Sequence, residues 1–380
     1  MHRIGRSLIV RLLRWVTLSS FGASAISAQS TPGRLVQDVV ACARCELRRE
    51  TRVVFTSSSI EGEITDLPFG VRVDPVGNLW VLAENTSPRA YSPTGSFTRT
   101  FGRSGRGPGE FVAVEDMFWV PGDSLITVDG GNRRVTVFAP DGRHVRDIRT
   151  PAQLAHAIVL RWPSEVLVSG HVPATSTVGL YLHFASFTDA DLTLTRSFGP
   201  DRGLLRPGYR GTNWHLTARG RDSSFVTAKP EQFRVYTWDR QGSLRATLIR
   251  NSTWFPDSGA GRIGTPDRPP TPAITAIDVD SDGLIWLFVR VAAPTWRRAW
   301  ARVPPGAREA FRRQIDFPSL YNTRVEVINP LSHRLLATTE IPGLAVSALG
   351  NGRVAVYGAG PDGEAALRID QLRLLPPKRQ

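Results

Sequence analysis

Short runs in which apolar and polar residues alternate, broken by Gly, Pro, Asp and Asn, recur from residue 51 to residue 375. A period of two bounded by such residues predicts β-strands joined by tight turns. The first full unit covers residues 69–101. It runs Gly70-Val71-Arg72-Val73, a turn at Asp74-Pro75-Val76-Gly77, Leu79-Trp80-Val81, then Arg89-Ala90-Tyr91, a turn at Ser92-Pro93-Thr94-Gly95, and a fourth run ending in Phe101. A second unit spans 111–148 with turns at Pro121-Gly122-Asp123 and Pro140-Asp141-Gly142. Gly77 to Gly122 is 45 residues and Gly95 to Gly142 is 47. A four-stranded propeller blade has this period, about 40–50 residues.

Further units follow at 155–198, at 215–249 and from Ile274 onward. The Gly77-x-x-Trp80 spacing returns as Gly283-x-x-Trp286, which places each Trp at one packing position between neighbouring sheets. The last unit, 345–370, is one strand short, and residues 51–55 form a run without a partner. Joining the two closes the ring and removes an exposed sheet edge. The expected fold is all-β, a six-bladed β-propeller with four-stranded antiparallel blades at 51–375, closed by an N-terminal strand in the last blade. One stretch interrupts the repeat. Residues 292–320 read as a short helical insertion within the fifth blade, with one helix at 296–302 and another at 307–314, either a cap whose aromatics pack on the propeller rim or a lid or docking element over one face.

Composition fits this picture, since 34 glycines and 28 prolines among 380 residues favour turns over long helices. Residues 1–28 read as a signal peptide. Arg3, Arg6, Arg11 and Arg14 precede an apolar stretch too short to span a membrane, and small residues lead to cleavage near Ala28. The mature chain is then expected to be secreted or periplasmic, with no membrane span. Removing four Arg lowers the formal charge from +13 to +9. The remaining cations are scattered rather than clustered in a run, which disfavours nucleic acid as a partner.

Cys42 and Cys45 are the only cysteines and lie in an N-terminal segment, 29–50. In an exported chain a C-x-x-C pair reads as a disulfide. Zinc needs two more ligands, and covalent haem needs a His where Glu46 stands.

The stretch 124–142, SLITVDGGNRRVTVFAPDG, resembles the NHL repeat, in which a strand ending in Asp precedes a Gly-Asn-x-Arg turn and a Val-x-Val-Phe strand. The loop 102–111, with Gly102-Arg103 and Gly107-Pro108-Gly109-Glu110-Phe111, resembles those of exported bacterial six-bladed propellers of that group. It reads as a crossing between blades, because a strand rather than a helix follows it, unlike a phosphate loop. Here Asp129 and Asn132 are expected to fix the turn, with Arg133 reaching neighbouring backbone. The resemblance implies an exported, non-enzymatic binding or scaffold module, monomeric, whose partner is a protein, a peptide or a small molecule. Binding is expected on the face carrying the inter-strand loops and the insertion, through Arg103, Arg106, Trp296, Arg297 and Trp300.

The same resemblance implies an alternative, a metal-dependent lyase or hydrolase with an axial site, similar to the peptide-amidating lyase group. No cofactor is expected under the first reading, and zinc or calcium under the second. His156 and His215 fall in first strands of their units, where a propeller channel is lined, and are the candidate metal or acid–base pair. The acidic run Asp278-Val279-Asp280-Ser281-Asp282-Gly283 matches half of a calcium loop. Its register coincides with the turn at Asp74–Gly77, so it reads as a hairpin turn. No catalytic residue is assigned. A G-x-S-x-G nucleophile elbow is absent from the sequence.

Overall fold

The computed structural model describes residues 33–375, apart from 38–39, 43–44, 57–58, 65–66, 84–86, 123, 151–152, 173–178, 189–190, 202–214, 257–260, 302–314 and 361–362. The signal-peptide segment 1–28 and the expected helix at 307–314 lie outside the described residues. The chain is a six-bladed β-propeller. Blade 1 consists of Pro68–Val73, Leu79–Ala83, Arg89–Tyr91 and Phe97–Thr100, and blade 2 of Val114–Val120, Ser124–Asp129, Arg134–Phe138 and His144–Arg149. Blade 3 is Gln153–Arg161, Glu165–Val172, Gly179–Phe187 and Leu192–Asp201. Blade 4 is Leu216–Arg219, Phe225–Ala228, Arg234–Trp238 and Leu244–Arg250, and blade 5 is Ala273–Val279, Ile285–Ala292, Tyr321–Asn329 and Arg334–Pro342.

Blade 6 is built from both ends of the chain. Leu344–Ala348, Arg353–Ala359 and Ala365–Leu375 take Glu46–Val54 as their outer strand, antiparallel, with Glu46 opposite Leu375 and Val54 opposite Arg368. The expected closure is therefore present, and its strand starts five residues earlier than the apolar run suggested. The residues before it also hold the ring. Gly33–Val36 adds a parallel fifth strand to blade 4, Gln37 bridges to Arg334, and Ala41 N–H donates to Leu335 O at 2.7 Å on blade 5. Cys42 and Cys45 form a disulfide at the bend between this strap and the closing strand.

Six apolar clusters lie between the six pairs of adjacent blades. This arrangement explains why the second strands read as unbroken apolar runs: Leu79–Ala83 is buried at every residue because a sheet covers each face. Trp80 and Trp286 occupy equivalent places, each packed on the following blade. Each indole N–H also donates to the Asp that opens the preceding hairpin, Asp74 at 3.1 Å and Asp280 at 2.8 Å. Asp280 further accepts from the N–H groups of Asp282 and Leu284, so the acidic run serves as a turn.

The NHL-like stretch folds as expected in blade 2, with one correction. Asp129 accepts from the N–H groups of Val112, Ala113 and Asn132 and from the Asn132 amide. Arg133, however, is exposed in the left-handed turn conformation, φ 51°. The neighbour at the strand start, Arg134, instead donates to the carbonyls of Gly107 and Glu110 in the crossing loop. A residue at positive φ swings its side chain out of the sheet plane, and the reach passes to the next position.

Within the insertion, residues 298–300 make a single 3-10 turn, and a four-residue helix, Phe317–Leu320, leads into the third strand. No helix among the described residues is long and apolar enough to cross a membrane.

Candidate functional site at the propeller axis

The first strand of each blade is innermost, and together the six strands enclose an axial cavity of about 480 Å³. That size lies within the range of pockets that hold small organic ligands. Because strands alternate in direction, the crossings between blades lie at one end of the axis with the turns joining second and third strands. The first-to-second turns lie at the other end. Phe69 and Val112 stand at the crossing end, 40% and 39% exposed, so the chain sets apolar side chains at that end of the axis.

The cavity wall has two unlike sectors. Blades 1–3 contribute Arg72, Glu115, Asp116 and His156 among apolar neighbours such as Phe69 and Ile158, whereas blades 4–6 contribute Leu216, Ile277, Val346 and Leu349 with the hydroxyls of Thr217, Thr275 and Ser347 and no charged group. The polar sector is centred on Asp116, whose side chain is 1% exposed. Its Oδ1 accepts from Arg72 Nε at 2.8 Å and from Met117 N–H at 2.7 Å, and lies 2.7 Å from Arg72 Nη2. Its Oδ2 accepts from Ala157 N–H at 3.0 Å and stands 3.6 Å from His156 Nδ1. The last distance exceeds a hydrogen bond and corresponds to an ion pair when the ring is protonated. Burial alone pushes the Asp116 carboxyl up, but Arg72, His156 and the Ala157 N–H outweigh it and hold the group below its ordinary value.

Arg72 carries the network across four blades. Its Nη1 donates to Val71 O at 2.9 Å and to Ser347 Oγ at 3.3 Å on blade 6, and that hydroxyl accepts Val71 N–H at 2.8 Å. One guanidinium–carboxylate pair thus ties the innermost strands of blades 6, 1, 2 and 3 together. Arg72 keeps 28% of its side chain exposed, and His156 keeps 19%. These two groups line the cavity, each with part of its side chain exposed.

Of the residues expected to act, His156 is in the cavity and His215 is not among its lining. His215 is 5% exposed and packs beside Tyr236, with ring centroids 6.2 Å apart, and burial pushes its pKa down to about 4. No set of three or more His, Cys, Asp or Glu stands in metal-holding geometry among the described residues. Arg103 and Arg106 are exposed on the crossing loop, where Arg103 Nε donates to Glu110 at 2.8 Å. Trp296 is 7% exposed inside the apolar cluster between blades 6 and 1, and Trp300 packs on that cluster, half-buried. Arg297 is exposed and stacks over Trp296, 4.5 Å from the ring centroid. None of these five lines the cavity. Arg72 and Asp116 were not singled out from the sequence. The signal was present nonetheless: both are charged residues inside innermost strands that are mostly apolar.

Comparison with protein-family models and with curated proteins gave no match. Among solved structures, a member of the DUF4221 family from Bacteroides vulgatus is similar at 11% identity, with a TM-score of 0.59 over 87% of this chain and 99% of that one. A Bacteroides fragilis protein described as exported is similar at 10% identity, with a TM-score of 0.55 over 90% and 100%. At such identities the likeness concerns the fold.

Proposed function

We propose that this protein is an exported binding module whose ligand is a small amphiphile held in the axial cavity. The observation that carries the reading is the make-up of the cavity wall, largely apolar and hydroxyl-bearing, with its charged and imidazole groups, Arg72, Glu115, Asp116 and His156, gathered on one side. A few convergent polar groups in an otherwise apolar pocket orient a ligand, while the apolar area supplies most of the affinity. The apolar side chains at Phe69 and Val112 suit entry at the crossing end. Secretion or a periplasmic location is supported by the leader pattern in residues 1–28, by the Cys42–Cys45 disulfide and by the similar structure described as exported.

A filled cavity tests the reading. Thr217 lies in the wall on the short first strand of blade 4 and is half-buried. Thr217→Trp is expected to abolish calorimetric binding of 1,2-octanediol while circular dichroism stays unchanged. Undiminished binding by the folded variant refutes an axial site.

A second reading is axial acid–base or metal-assisted chemistry, as in a lyase or hydrolase. It is favoured by His156 standing beside a buried carboxylate in the cavity. Stoichiometric zinc or calcium in the purified protein supports that reading, and a metal content below a tenth of the protein counts against its metal-assisted form.

A further inference from the structure

The head group this cavity accepts follows from the charge state of its polar sector, an inference that rests on the axial cavity being the ligand site. Arg72 is the cation of the wall, and its charge is already answered. Nε and Nη2 both face Asp116 Oδ1, at 2.8 and 2.7 Å, and Nη1 is taken by Val71 O and Ser347 Oγ. The carboxylate is sealed beneath the guanidinium, 1% exposed against 28%. Glu115 adds a second carboxylate to the wall, which disfavours an anion further, the His156 ring stands against Asp116 Oδ2 at 3.6 Å, and Thr217, Thr275 and Ser347 are neutral.

An entering anion gives up the hydration of a full charge. It then meets a cation whose field is cancelled at short range by a carboxylate held in contact with it. An uncharged oxygen sheds its water at much lower cost and still accepts a hydrogen bond from the exposed guanidinium edge. We propose that the cavity selects uncharged amphiphiles, a hydrocarbon tail bearing a hydroxyl or amide head, and rejects carboxylates of equal length, because Asp116 neutralises Arg72 before the ligand arrives. Asp116 is a positioning and charge-setting residue in this scheme, and Arg72 makes the contact.

Three probes with one tail length separate the outcomes in calorimetric titrations of the full chain at pH 7.5: 1,2-octanediol, octanoate and octylammonium. The diol is expected to bind at least tenfold more tightly than either ion, and Asp116→Asn is expected to raise octanoate affinity at least tenfold. Octanoate or octylammonium binding as tightly as the diol overturns the head-group assignment while leaving the cavity reading intact. Failure of all three to bind removes the cavity reading and this inference with it. Should Asp116→Asn not fold, the wild-type ratios decide alone.

Discussion

The Arg250–Glu326 and Arg72–Asp116 pairs each join neighbouring blades through a guanidinium and a buried carboxylate, and they differ in one respect. Arg250, on the outer strand of blade 4, meets Glu326, on the third strand of blade 5, through Nε at 2.9 Å and Nη2 at 3.0 Å, with the side chains 2% and 0% exposed. Arg250 also donates to Val36 O in the N-terminal strap and lies over the Phe233 ring, while Arg324 takes a further position on Glu326. That pair is closed on every side. The Arg72–Asp116 pair uses the same chemistry but leaves the guanidinium partly open to the axial cavity. The comparison teaches that a buried ion pair is weak grounds for assigning function, and that an open side on a ligand-sized cavity is what separates a contact from a clamp.

The largest expected effect breaks the closed pair. Glu326→Ala leaves Arg250 buried without its carboxylate and is expected to cost about 3–5 kcal/mol, with diol binding by the folded fraction unchanged. Asp116→Ala is expected to cost less, about 1–3 kcal/mol, because Arg72 retains access to cavity water. Chemical denaturation of both variants checks the order. A larger loss for Asp116→Ala contradicts the assignment of which pair is closed.

A third carboxylate sharpens the comparison from the opposite direction. Asp278, at the end of blade 5's innermost strand, accepts Val279 N–H on Oδ1 at 2.9 Å, and burial pushes its pKa up to about 6. A raised carboxyl pKa means that the folded state holds the proton more tightly than the unfolded chain. Stability from this group therefore falls as pH rises from about 4 to 6. Asp278→Asn is expected to stabilise the protein at pH 8 by about 1–2 kcal/mol and to give no gain below pH 4. His215 works with the other sign, since its pKa of about 4 lies below the ordinary value and it loses stability as pH falls from about 6.5 to 4. Denaturation curves at pH 4, 6 and 8 separate the two groups. A neutral-pH loss in Asp278→Asn contradicts the account of its burial.

The architecture was legible because it repeats locally. The Gly-x-x-Trp spacing, the Asp-led hairpins and the missing strand of the last unit each sit within a few tens of residues, and all three have structural counterparts. The disulfide was legible for the same reason. The site was not, because it is assembled from six strands far apart in sequence: Arg72 bonds Ser347 across 275 residues. His156 was found by its place in a first strand, whereas His215, chosen on the same ground, sits just before Leu216–Arg219 and is packed beside Tyr236. Trp296, in an Arg-rich insertion, was open to two readings, an aromatic packed on the propeller rim or a contact for a partner. In the fold Trp296 is an apolar anchor, while its neighbours Arg297 and Arg298 face water.

Occupation of the axial cavity by ligand is tested most directly by a single introduced thiol. Both native cysteines are consumed by the disulfide, so Thr217→Cys carries the chain's one reactive sulfur. Its labelling by N-ethylmaleimide is predicted to proceed in the free protein and to slow at least tenfold with saturating 1,2-octanediol. A labelling rate unchanged by the diol contradicts occupation of the cavity.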